Sequence, residues 1–90
     1  MNIYTSVPYI RRFKKQVKKN RSIGNQVDKK IVLFLQDKNH PSLRLHKLSG
    51  QFENMWSISI NDSIRILFHY VDDGIVLGDI GSHDEVYLKK

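Results

Sequence analysis

The stretch "NMWSISINDSIRILFHYVDDGIVLGDI" (54–80) alternates apolar and polar residues through two sharp polar breaks, and its register decides the fold. With Trp56, Ile58 and Ile60 on one face of a strand, Ile64, Ile66 and Phe68 must share that face beyond the first break. Pairing Ile60 with Ile64 needs the three-residue loop Asn61-Asp62-Ser63, because a two-residue loop would set Ile58 beside Arg65 and mix the faces. The same reasoning at the second break expects the three-residue loop Asp72-Asp73-Gly74, with Gly74 in the left-handed position. Ile66 would then face Ile80, and Tyr70 would face Val76.

Working outward, "LRLHKL" (43–48) reads as a further strand and "NIYTSV" (2–7) as a short first one. Between them the period is helical. Ser6 offers an N-cap, Pro8 is tolerated in the first turn, and Ile10, Phe13 and Val17 form a stripe that can bury. Gly24 lies in a break, after which Val27, Ile31, Phe34 and Leu35 mark a second helix that ends before "NHP" (39–41). The expected fold is α+β: two N-terminal antiparallel helices packed on one face of a small, mainly antiparallel sheet of four or five strands, in a single domain spanning 1–90.

The sheet face away from the helices carries the chemistry. Alternation puts Ser57, Ser59, Arg65, Leu67, His69, Leu77 and Asp79 there, with Arg44 and His46 joining if Leu43 and Leu45 point inward. His83 lies just past the strand end. Arg65 is central; it suits either an ion pair with Asp79 or a clamp on a phosphate, for which the planar guanidinium is well shaped. His46 and His83 are the acid–base candidates, since imidazole exchanges protons near neutral pH. His40 and His69 attract no role from sequence. Tyr87 either stacks on a base, offers a phenol proton, or anchors the tail to the core.

The charge narrows the partners. Fifteen Lys and Arg against nine Asp and Glu leave +6 on ninety residues, which favours polyanions: nucleic acid or a strongly acidic protein. Six of those charges, Arg11, Arg12, Lys14, Lys15, Lys18 and Lys19, fall within nine residues of the first helix and can track a phosphate backbone. The chain has no cysteine, and its four histidines fit no metal-ligand spacing, so neither a metal nor another cofactor is expected. No Gly-rich phosphate loop, nucleophile elbow or paired-carboxylate arrangement occurs, which excludes most familiar enzyme classes. No apolar run is long enough to span a membrane, and the opening residues lack a secretory pattern. A cytoplasmic location without membrane attachment is expected.

Taken in order, "IYTSVPYIRRFKKQVKK" (3–19), "LHKLSG" (45–50), "WSISINDSIRILF" (56–68) and "DIGSHDEVY" (79–87) resemble the RelE/ParE superfamily of type II toxin–antitoxin toxins, most of all its RelE, YoeB and YafQ branch. The resemblance implies the RelE-like fold and a ribosome-dependent mRNA endoribonuclease that inhibits translation. Its metal-independent chemistry is attack of a 2′-hydroxyl on the adjacent phosphate. Carried over by position, Arg65 stabilises that phosphate, His83 transfers a proton, Tyr87 is the neighbouring aromatic, and His46 matches a histidine ahead of the "L-x-G" motif. Contact with RNA or the ribosome falls to Arg11, Arg12, Lys14, Lys15, Lys18, Lys19 and Arg44. The implied partners are a cognate antitoxin, in a toxin–antitoxin hetero-oligomer, together with ribosome and mRNA. The chain departs from better-studied relatives at Ser42, Ser59 and Ser63, where they carry a glutamate, or a second histidine and an aspartate. His46 or His83 would then act as the base. The same fold also admits a ParE-like inhibitor of DNA gyrase, or a degenerate toxin that only binds its antitoxin.

Overall fold

A computed structural model describes residues 1–52 and 54–87. The chain begins with strand β1 (Asn2–Thr5) and turns at Ser6, whose extended backbone lets its hydroxyl accept from the Tyr9 amide at 3.2 Å. That cap, with Pro8 in the first turn, starts helix α1 (Val7–Lys19) where the sequence places it. Helix α2 (Ile23–Gln36) follows through a short link in which the Asn20 carboxamide accepts from the amide and hydroxyl of Ser22. Gly24, expected in the break, lies inside α2.

Five strands form one mixed sheet in the order β1-β5-β4-β3-β2: β2 (His46–Lys47), β3 (Trp56–Ser59), β4 (Ile64–Val71) and β5 (Gly74–Ser82) join β1, and a last helix, α3 (His83–Tyr87), closes the described chain. The helices cover one face, where Tyr9, Ile23, Val27 and Phe34 pack against Ile58, Ile60, Ile66, Phe68, Ile75 and Ile80. This is the α+β architecture expected. Among the described residues, only β1 runs parallel to its neighbour, β5.

The first hairpin matches the expected register: Ile58 faces Ile66, Ser59 faces Arg65, and the Ile60 amide donates to the Ile64 carbonyl at 2.8 Å. Asn61 shapes the turn, its side-chain oxygen accepting from the amides of Ser63 and Ile64 at 2.8 Å each. The second hairpin differs. Ile66 does face Ile80, but Tyr70 faces Ile75 and Val71 faces Gly74, which leaves the two-residue loop Asp72-Asp73. A register shift between Leu67 and Phe68 takes up the extra residue, Gly78, as a bulge on β5. Beyond it the faces exchange, so Leu77, expected on the open face, belongs to the helix-side core. Gly74 does not take the left-handed conformation. Glycine serves there because β1 passes so close that a Cβ would fall on the Asn2 carbonyl. Asp73 ties the same corner, accepting from Tyr4 at 2.8 Å and Asn2 at 3.0 Å, and these bonds hold its carboxyl below the usual carboxylate range.

Three further expectations are corrected. "LRLHKL" is a strand only at His46–Lys47; Pro41 begins a 3-10 turn over Pro41–Leu43, and Arg44 follows in the left-handed conformation with φ 48°, which breaks extended pairing. Leu43 still buries completely. On α1, Ile10 is 41% exposed while Tyr9 and Gln16 are buried, so Phe13 and Val17 pack inward as expected but Tyr9 and Gln16 complete that face in place of Ile10. On α2, Leu35 is exposed and Ile23 takes the inward place.

Candidate functional site

The open face is built by β2, β3 and β4 together with α3. On β2, His46 sits opposite Ser57; on β4, Arg65 lies between Ser59 of β3 and Gly81 of β5. The four residues expected to carry the chemistry converge. His46, Arg65, His83 and Tyr87, with Leu48, line one open cavity of about 330 Å³.

The stretch "SHDE" (82–85) folds α3 by a reciprocal cap. The Ser82 amide donates to Glu85 Oε1 at 2.8 Å, and the Glu85 amide donates to the Ser82 hydroxyl at 3.2 Å. A short helix of five residues needs such help, because so few internal hydrogen bonds cannot offset the cost of nucleation. The Glu85 carboxylate also accepts from the buried Gln16 of α1 at 3.0 Å and meets Lys19 at 3.8 Å. This accounts for a glutamine in the α1 stripe: it fastens the helix that carries His83 and Tyr87. Gly81 completes the arrangement, since a Cβ there would meet Glu85 Oε1 at 2.9 Å and its Cβ at 3.0 Å.

The donor from Ser82, then Gln16 and Lys19, hold the Glu85 carboxyl below the usual carboxylate range, against the opposing effect of burial. A depressed folded pKa stabilises the fold fully above the unfolded value of about 4.3 and loses that contribution as pH falls through the folded value. Stability should therefore decline on acidification from about pH 5 downward, with Asp73 adding to the same slope. In Glu85→Gln the decline should be shallower, a difference that thermal unfolding midpoints measured against pH would reveal; an unchanged slope would contradict this role.

Tyr87 is tied in place. Its hydroxyl donates to Ser57 Oγ at 2.7 Å, its ring lies 4.5 Å from the His83 ring, and Phe52 meets it edge-on at 6.2 Å. Ser57, fully buried, also receives a longer contact from Arg65 Nη1 at 3.5 Å. It is the residue that sequence reading passed over: alternation placed it on the right face, but nothing in the chain showed that Tyr87 would return to it. His46 Nδ1 lies 3.0 Å from the Arg44 carbonyl. A carbonyl only accepts, so Nδ1 carries the proton, and a neutral ring keeps its lone pair on Nε2. His83 is exposed, with Nδ1 3.6 Å from the Asp84 carboxylate.

The basic residues divide. Arg12 pairs with Asp79 at 3.8 Å and Lys19 with Glu85, so both help to join α1 to the site edge. Arg11, Lys14, Lys15 and Lys18 face solvent. The Arg44 side chain lies outside the cavity and lines a neighbouring hollow with Lys30, Ser42 and Ser59. Ser42, Ser59 and Ser63 do not line the cavity; the Ser42 hydroxyl lies 2.9 Å from His40 Nδ1, and that of Ser59 donates to the Asn61 carbonyl at 2.9 Å. Among the described residues, no helix is long and apolar enough to cross a membrane.

Several solved structures share this architecture throughout. YafQ from E. coli strain BL21(DE3) superposes with a TM-score of 0.80 at 11% identity, covering 96% of this chain and 97% of that one. A copper-bound mutant toxin from Helicobacter pylori gives a TM-score of 0.78 at 21% identity, covering 97% and 99%. The toxin–antitoxin complex of E. coli DinJ and YafQ gives 0.77 at 15%, covering 96% of each. No curated protein matches the chain by sequence. The fold is thus that of the small RelE-like toxins. The family model "Bacterial toxin of type II toxin-antitoxin system, YafQ" matches residues 5–88. The chain belongs to that YafQ toxin family.

Proposed function

We propose that this toxin is a ribosome-dependent mRNA endoribonuclease, acting in the cytoplasm and held inactive by a cognate antitoxin in a hetero-oligomer. The observation that carries the reading is the convergence of His46, Arg65, His83 and Tyr87 on one open cavity. A phosphate entering it would meet the Arg65 guanidinium and the two imidazoles that share the lining with it. In the reaction, the 2′-oxygen attacks the adjacent phosphorus and the bond to the 5′-oxygen breaks. The products are a 2′,3′-cyclic phosphate and a free 5′-hydroxyl. His46 Nε2 takes the 2′-proton, and His83 gives a proton to the leaving 5′-oxygen. Arg65 offsets the charge that gathers on the phosphoryl oxygens. Tyr87, its hydroxyl engaged by Ser57, presents its ring to a base and holds the His83 ring by contact. No carboxylate is needed, and the ribosome's positioning of the mRNA supplies much of the remaining acceleration. The DinJ–YafQ complex supports an antitoxin partner, whose acidic character would suit the +6 charge of this chain.

His83→Ala should lower the cleavage rate by at least ~10²-fold in a translating extract while retaining the wild-type circular dichroism spectrum. Cleavage at an undiminished rate would remove His83 from the mechanism. One observation favours a second reading, a toxin that binds its antitoxin without cleaving RNA: the serines at 42, 59 and 63 stand away from the cavity. Such a protein would not cleave at all. A gyrase inhibitor would instead block supercoiling and be indifferent to His83→Ala.

A further inference from the structure

A second groove lies farther along the sheet. Lys47, Asn54, Met55, Trp56, His69 and Tyr70 line it, and its volume is about 570 Å³, larger than that of the His46–Arg65 cavity. His69 belongs to the face on which that cavity opens, with the buried Ser57 and Leu67 between the two hollows. Along β4, Arg65, Leu67 and His69 alternate onto one face; along the neighbouring chain Ser57 and Met55 do the same. His69 lies four positions beyond Arg65, about 13 Å at the rise of a strand, a span that an extended single strand covers in a few nucleotides. From the other face come Lys47 and Trp56, paired across β2 and β3, and Tyr70, so the groove wraps the end of the sheet.

Its lining is unusual for surface that only meets water. The Trp56 and Tyr70 rings stand edge to face at 5.6 Å, and Tyr70 is 37% exposed. Through Phe68 this pair rests on Phe34, which makes it a rigid platform backed by the core. Beside it stand an exposed ammonium on Lys47, the His69 imidazole and the Asn54 carboxamide. A ring platform with an adjacent cation is what single-stranded nucleic acid requires: a π-face for the base and a positive charge for its phosphate.

We propose that this groove is a second nucleotide subsite, holding a base and phosphate of the mRNA that flank the scissile bond. The inference rests on the RNA-cleaving reading above. A protein ligand, such as an antitoxin segment, is the competing occupant; the pairing of aromatic rings with the Lys47 ammonium, on the sheet that also carries Arg65, favours RNA.

Trp56 is the one tryptophan of the chain, so its emission reports this groove directly. The probes are a 2′-O-methyl hexanucleotide and a dinucleotide, neither of which can be cleaved by 2′-oxygen attack. The hexanucleotide should quench Trp56 on binding and the dinucleotide should not. Tyr70→Ala should weaken hexanucleotide binding roughly tenfold. Lys47→Ala, a change at an exposed side chain, should lower the salt dependence of binding by about one phosphate contact. Hexanucleotide binding that Arg65→Ala abolishes, yet that leaves Trp56 emission unchanged, would overturn the subsite and spare the proposed function. Binding indifferent to Arg65→Ala would overturn both. Quenching by antitoxin but not by RNA would assign the groove to the protein partner and overturn the subsite.

Discussion

Arg65→Ala is expected to lower the rate of mRNA cleavage by ~10²–10³-fold, the cost of removing one preorganised donor from a site where charge develops. The expectation follows from where Arg65 stands: flanked by β3 and β5, lining the cavity with both candidate imidazoles, and touching the buried Ser57 hydroxyl. The alanine variant should fold, because the guanidinium's contact with Ser57 is long at 3.5 Å and Ser57 keeps its 2.7 Å bond from Tyr87. Arg65→Lys should recover only part of the rate, since an ammonium keeps the charge but loses the planar fork. Single-turnover cleavage on programmed ribosomes would measure both variants. Equal rates for wild type and Arg65→Ala would remove the phosphate-binding role.

The largest effect on stability should come from Phe68→Ala. Phe68 is fully buried at the centre of the sheet, its ring edge-on to Phe34 at 5.3 Å and to Tyr70 at 5.5 Å. Truncation removes the ring contact between Phe34 of α2 and the sheet and leaves a cavity that neighbours on fixed strands cannot fill. The expected cost is ~3–5 kcal/mol, a large part of the ~5–15 kcal/mol that holds a typical domain together. Denaturant unfolding at equilibrium should show a much lower midpoint with a similar slope. A loss below ~1 kcal/mol would mean that the helices do not rest on this residue.

What the sequence disclosed, and what it withheld, follows the range of the interactions. The β3–β4 hairpin was legible because its apolar faces and the Asn61 turn are local and agree with one another. The β4–β5 hairpin was half legible. Ile66 faces Ile80 as alternation requires, but the bulge at Gly78 reverses the faces beyond it, and a period-two pattern carries no mark of an inserted residue. Both errors, at Leu77 and at the Asp72-Asp73 loop, come from that one residue.

On α1 the expected stripe holds at Phe13 and Val17, which pack against the core, but fails at Ile10. Hydropathy passes over Gln16, which a hydrogen bond to Glu85, 69 residues away, holds inward. The cavity residues His46, Arg65, His83 and Tyr87 were all named from sequence, two by alternation and two by their place after the last strand. Ser57 was not given a role, because the bond to Tyr87 joins residues 30 positions apart. Arg12 and Lys19 were grouped with the solvent-facing cations, and only the folded chain separates them by their carboxylate partners.

The central claim is cleavage of translated mRNA at the Arg65 cavity, and mapping of mRNA 5′ ends in a reconstituted translation reaction tests it most directly. Wild-type protein should generate new ends inside codons, bearing 5′-hydroxyls, only when ribosomes are present, and Arg65→Ala should generate none at the same times. Folded wild-type protein that yields no new ends, or yields the same ends with Arg65→Ala, would contradict the account.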